Sequence, residues 1–70
     1  MTAHLRVMVL PDRKTEFIDP RENESLDELL ENFLNRTGRF TGEWVPIRGG
    51  VSDHRYVRYD QIVLVEATPN

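Results

Sequence analysis

Seventy residues carry 12 acids against 9 lysines and arginines, a formal net charge of −3, and no cysteine. Disulfides, thiolate metal sites, a cysteine nucleophile and thiol redox chemistry are thereby excluded, and the overall balance is wrong for a strongly basic nucleic-acid binder. A chain this short buries only about 60% of its unfolded surface, so self-association is the expected reinforcement, with a homodimer formed by pairing of exposed strand edges.

The first predicted element is a strand from Leu5 to Leu10, in which Leu5, Val7 and Val9 alternate with Arg6, Met8 and Leu10. Period two places the first set toward the core. Met8 and Leu10 leave the second face less polar than a solvated one, so partial cover by a partner chain is expected there. Pro11-Asp12-Arg13-Lys14 supplies a turn, with Pro11 suited to the second position of a type I turn. Thr15 to Ile18 resumes as a second strand and stops at Asp19-Pro20, where proline removes an amide donor and holds Asp19 extended.

A polar link, residues 19 to 24, leads into a helix from Ser25 to about Thr37. Ser25 and Glu28 have the spacing of a capping box, each able to reach the other's amide. Leu26, Leu29, Leu30, Phe33 and Leu34 form one apolar stripe at helical spacing. Asp27, Glu28 and Glu31 lie toward the positive end of the helix dipole and Arg36 toward the negative end. Gly38 is the expected left-handed residue that closes the helix.

Gly42 to Ile47 reads as a third strand, and Pro46 makes it an edge or a bulged strand. Arg48 to Arg55 is the longest irregular stretch. Tyr56 to Tyr59 and Ile62 to Val65 are two extended pieces with a bend at Asp60-Gln61. The continuously apolar Ile62-Val63-Leu64-Val65 predicts a central strand buried on both faces. Residues 67–70 are expected to fray. No apolar run approaches the roughly 20 residues that span a bilayer, and no basic segment followed by an apolar core opens the chain. A single domain over residues 1–70, soluble and cytoplasmic, is the expectation.

The order strand, turn, strand, helix, strand, irregular segment, strand is that of the β-grasp fold. Leu5 to Thr37, with its short hairpin and acidic Pro-containing link into a helix, resembles the first half of a ubiquitin-like domain, and Ile62 to Val65 is similar to that family's closing central strand. The resemblance covers about half of the chain and rests on pattern. It implies an α+β, β-grasp-like domain: a four- or five-stranded mixed sheet with one helix packed across it, binding other proteins through its sheet face. Modifier and sulfur-carrier members end in a free Gly-Gly; here Gly49-Gly50 is internal and the chain closes Thr68-Pro69-Asn70, so conjugation is not implied. His54-Arg55-Tyr56-Val57 followed by Asp60-Gln61-Ile62 resembles the closing motif of LytTR-type DNA-binding domains, without the serine and asparagine usual there.

Side chains with chemical potential are few. Ser52-Asp53-His54 brings three catalytic residue types together, yet a triad needs side chains that converge from separated positions. His4 and His54 are too few to hold a metal without several carboxylates, and no metal or cofactor is expected. Gly49-Gly50 lacks the helix start that a phosphate loop requires. From Glu16 to Glu31 seven acids face one base, Arg21, whereas Arg36, Arg39, Arg48, Arg55 and Arg58 meet only Glu43 and Asp53 between them. Phe40 and Trp44 are assigned to the core above the helix stripe. Two contact surfaces are then expected: an acidic helix edge (Asp27, Glu28, Glu31) and an Arg/Tyr segment (Arg48, Arg55, Tyr56, Arg58). Arginines beside aromatics suit protein hot spots and, as the alternative, nucleic-acid binding. The predicted function is a small non-catalytic protein–protein interaction module.

Overall fold

Leu5 and Val7 are buried while Arg6 between them is exposed, and this alternation orients everything else. The computed structural model describes residues 3–49 and 54–69. Strand β1 (His4–Val9) forms a hairpin with β2 (Lys14–Ile18), followed by helix α1 (Leu26–Asn35) and a 3-10 turn at Gly38–Phe40. Strands β3 (Trp44–Ile47) and β4 (Arg55–Arg58), a second 3-10 turn at Tyr59–Gln61 and β5 (Ile62–Thr68) complete the order. The domain is α+β. Its described helix is ten residues long, and no helix among the described residues is long and apolar enough to cross a membrane.

The strands form two antiparallel sheets, β2-β1-β5 and β3-β4, in place of the expected single mixed sheet. A mixed sheet needs a parallel pair, and the closing strand instead runs antiparallel to β1, from Val9 opposite Ile62 to His4 opposite Thr68. The two sheets meet where the Arg48 amide donates to the Phe17 carbonyl (2.6 Å). A second correction concerns position. β1 is the central strand and β5 is an edge, with Val63 55% and Leu64 41% exposed. An unbroken apolar run signals freedom from polar constraint, and an uncovered edge satisfies that as well as a buried centre. The strand also outruns its expected end, since Ala67 and Thr68 pair with Leu5 and His4.

One core joins both sheets and the helix: Leu5, Val7, Ile18, Leu29, Phe33, Phe40, Val45 and Ile47. Leu26 and Leu30 pack against it, but Leu34 is 57% exposed, so the stripe is narrower than its spacing implied. At the N-terminus of α1 the Ser25 hydroxyl accepts from the Glu28 amide (3.1 Å). The Glu28 carboxylate answers the Ser25 hydroxyl (3.3 Å) rather than its amide, half of the expected box.

The helix ends at Asn35, three residues before Gly38. Arg36 itself takes the left-handed conformation (φ 58°, ψ 47°) and its amide donates to the Asn32 carbonyl. Side-chain bonds explain why arginine accepts this backbone: its guanidinium donates to the carbonyls of Phe40 (2.8 Å) and Gly42 (2.9 Å) and lies 4.0 Å over the Tyr59 ring. Gly38, at φ 62°, opens the following 3-10 turn. Tyr59 fixes the same corner from the other side by donating its hydroxyl to the Phe33 carbonyl (2.8 Å).

Candidate functional site

The register of the β3–β4 ribbon sorts its side chains onto two faces. Trp44 lies opposite Arg58, Val45 opposite Val57, Pro46 opposite Tyr56 and Ile47 opposite Arg55. Val45 and Ile47 are buried, so the face they share with Val57 and Arg55 looks into the core. Trp44, Pro46, Tyr56 and Arg58 occupy the other face. Trp44 is 55% and Tyr56 53% exposed, which corrects the assignment of Trp44 to the core. Its large ring argued for burial; the pleat that sends Val45 and Ile47 inward turns Trp44 outward.

The expected Arg/Tyr segment is therefore dispersed. Arg48 makes a two-point ion pair with Asp19, one contact at 2.8 Å, and sits 4.8 Å over the Phe17 ring. Arg55 reaches back to Glu16 (2.8 Å), whose side chain is largely buried. Arg58 lies 5.8 Å from the Trp44 ring and spans Asp60 (3.3 Å) and Glu43 (3.4 Å). Only Tyr56 and Arg58 of the expected set share a face. Trp44 and Pro46, which that set lacked, stand beside them, and period two from the buried Val45 was the signal that placed them.

The helix residues Asp27, Glu28 and Glu31 are exposed, with Glu28 engaged in the cap. They belong to α1 and not to the ribbon, so the two expected surfaces remain separate. Of the Ser52-Asp53-His54 triplet and the Gly49-Gly50 pair, Gly50, Ser52 and Asp53 lie outside the described residues, as does Asn70 of the expected frayed tail.

A polar groove of about 630 Å³ runs along the link before α1, lined by Ala3, Asp19, Arg21, Glu24, Leu26 and Arg48 among others. Asp19, Glu24 and Arg48 of its lining are matched by internal partners. Arg39 pairs with Glu24 (3.1 Å) and donates to the Asp19 carbonyl (2.8 Å), and Arg48 holds the Asp19 carboxylate. Among the described residues no three metal-ligating side chains converge, and no buried side-chain polar atom lacks a partner.

These pairs make stability depend on acid. The hydrogen bond from Arg48 holds Asp19 below its ordinary pKa of 3.8. At Glu24 burial works against ionisation, but the Arg21 amide and Arg39 outweigh it, and the carboxyl lies below its ordinary 4.5. A depressed folded-state pKa gives stability that is whole above the unfolded value and lost as pH falls through the folded one. Urea midpoints should therefore hold steady down to about pH 5 and drop on further acidification. Asp19→Asn should flatten that drop; an unchanged pH profile in the variant would show that the Arg48 pair does not produce it.

The outward ribbon face thus combines two half-exposed aromatic rings, a proline and an arginine on a rigid antiparallel pair. Such a face offers stacking and hydrogen-bonding surface. No family model matches the chain, and no curated protein or solved structure matches it.

Proposed function

We propose that the protein is a non-catalytic interaction module that binds a partner protein through Trp44, Pro46, Tyr56 and Arg58. The observation that carries this reading is Trp44 and Tyr56 half-exposed on one ribbon face while Phe33 and Phe40 fill the core without them. Trp, Tyr and Arg dominate the energetics of protein interfaces. Rigid rings on a paired ribbon lose little entropy on binding. The exposed acids of α1, Asp27 and Glu31, suit a basic rim on the same partner, where they would speed encounter more than they add affinity. A cytoplasmic setting and a ubiquitin-like relation belong to the same reading, supported by the lack of cysteine and by the element order from β1 to α1.

Nucleic acid is the weaker alternative because Arg48, Arg55 and Arg58 are each matched by a carboxylate. A phosphate would have to displace those acids. The test immobilises the wild-type chain and a Trp44→Ala/Tyr56→Ala variant in lysate of the source cells, with and without nuclease. A protein retained stoichiometrically after nuclease and lost by the variant is expected, a loss of at least about tenfold in affinity given ~2 kcal/mol per hot-spot ring. Equal retention by the variant overturns the aromatic face, and retention that disappears with nuclease moves the function to nucleic acid.

A further inference from the structure

Arg21, Arg39 and Arg48 line one groove of about 270 Å³ together with Asp19. Pro46, from the outward ribbon face, and the buried Ile18 and Ile47 complete the lining. Two of the arginines are fixed in place. Arg48 spends its Nε and Nη2 on the Asp19 carboxylate and lies 4.8 Å over the Phe17 ring. Arg39 spends Nη1 on Glu24 and Nη2 on the Asp19 carbonyl, and lies 5.2 Å over the Phe40 ring. A guanidinium carries more N–H donors than these bonds use, so Nη1 of Arg48 and Nε of Arg39 are left unspent. Arg21 adds a whole guanidinium: it is exposed, and among the described residues its side chain meets no carboxylate.

We infer that this groove receives a carboxylate of the partner protein, an Asp or Glu side chain carried beside the segment that lies on Trp44 and Pro46. Continuity supplies the position. Pro46 belongs to both surfaces, so a chain crossing the ribbon face reaches the arginines without leaving the molecule. Charge supplies the occupant. Three guanidinium groups meet two carboxylates, Asp19 and Glu24, which leaves one positive charge and several N–H donors without an acceptor. An acceptor with a single negative charge balances both. A neutral acceptor would leave the charge, and a phosphate dianion or a nucleic-acid backbone would oversupply negative charge next to Asp19. Glu22 lines the larger adjoining groove and not this one. The apolar part of the lining strengthens the contact, because low-dielectric walls focus the field of charges set in a cleft. Arg39 and Arg48 are held before the ligand arrives, so little side-chain entropy is lost on binding. The bearer of the carboxylate rests on the ribbon reading; the groove's selectivity for a single negative charge does not.

Nuclear magnetic resonance of the isotope-labelled full chain tests the groove, with three probes: a capped Gly-Glu-Gly peptide, its glutamine counterpart and inorganic phosphate. The glutamate peptide is expected to shift the side-chain Nε–H signals of Arg39 and Arg48 and to saturate them, while the glutamine peptide leaves them in place. Arg21→Gln should weaken that response by about fivefold or more with the circular dichroism spectrum unchanged. Trp44→Ala/Tyr56→Ala should leave it intact, which separates the two surfaces. In the lysate experiment, Arg21→Gln should lower retention of the same protein that the ring variant loses. No saturable response to the glutamate peptide, an equal response to the glutamine peptide, tighter binding of phosphate, or a response unchanged in Arg21→Gln overturns the groove and leaves the ribbon reading standing. A protein retained equally by the ring variant overturns the ribbon reading, and with it the bearer, while the response to the glutamate peptide stands.

Discussion

Phe40→Ala is expected to cost about 3–5 kcal/mol and to leave the fold only marginally stable at room temperature. Phe40 is fully buried and meets Phe33 edge-to-face at 5.3 Å between ring centroids. It also sits where three elements join. Its amide donates to the Thr37 carbonyl (3.1 Å), and its carbonyl accepts from the Arg36 side chain, so the ring anchors the turn that carries the chain from α1 to β3. Removing it opens a cavity that the turn cannot close without breaking those bonds. A domain of this size has a total stability near the low end of roughly 5–15 kcal/mol, so the loss consumes most of it. Urea unfolding followed by circular dichroism measures the effect. Phe40→Leu should lose less than half as much, because it retains most of the buried volume. A Phe40→Ala cost below about 1 kcal/mol, the ordinary average for a substitution, would mean that Phe40 is not the keystone of this corner.

Local signals were legible in the chain and remote ones were not. The strand character of β1 and β2, the presence of a turn between them and the Ser25 cap of α1 depend on residues within a few positions of each other, and these were readable. The type I turn expected at Pro11 was not formed, since the Leu10–Pro11 bond is cis. The end of α1 was misplaced because glycine is the intrinsic favourite for a left-handed residue. Arg36 overrides that preference with bonds to Phe40, Gly42 and Tyr59 that the sequence does not display. The closing strand failed for another reason: an apolar run reports that nothing polar is needed, and it does not report what covers it. At the candidate site, adjacency misled. Arg55 and Tyr56 are consecutive, so in a strand they must face opposite ways, and the buried Val45 and Ile47 would have told which way each turns. What no local pattern contains is the carboxylate that Arg55 meets 39 positions away.

That carboxylate leads to the second large expected effect, a cost of about 1–3 kcal/mol for Arg55→Ala, set by the desolvation of an abandoned buried acceptor. Glu16 is opposite Val7 on the core side of β2 and is only 9% exposed. Arg55 comes from the core side of β4 and closes on it at 2.8 Å, which makes this pair a link between the two sheets. Without the guanidinium, a largely buried carboxylate is left without its ion-pair partner on the core side of β2. The pair itself need not be stabilising, since the gain from contact is set against the desolvation of both charges. Glu16→Leu/Arg55→Met should accordingly be close to neutral, and a double-mutant cycle on the four unfolding curves separates the contact from the penalty. Were Arg55 a solvent-facing binding residue, its alanine variant would fall within about 0.5 kcal/mol of wild type and lose only binding. The distinction decides how the ribbon is to be probed. Loss of binding in Arg55→Ala would report a loosened fold, whereas Arg58, on the outward face with Trp44 and Tyr56, can be removed to ask what the protein holds.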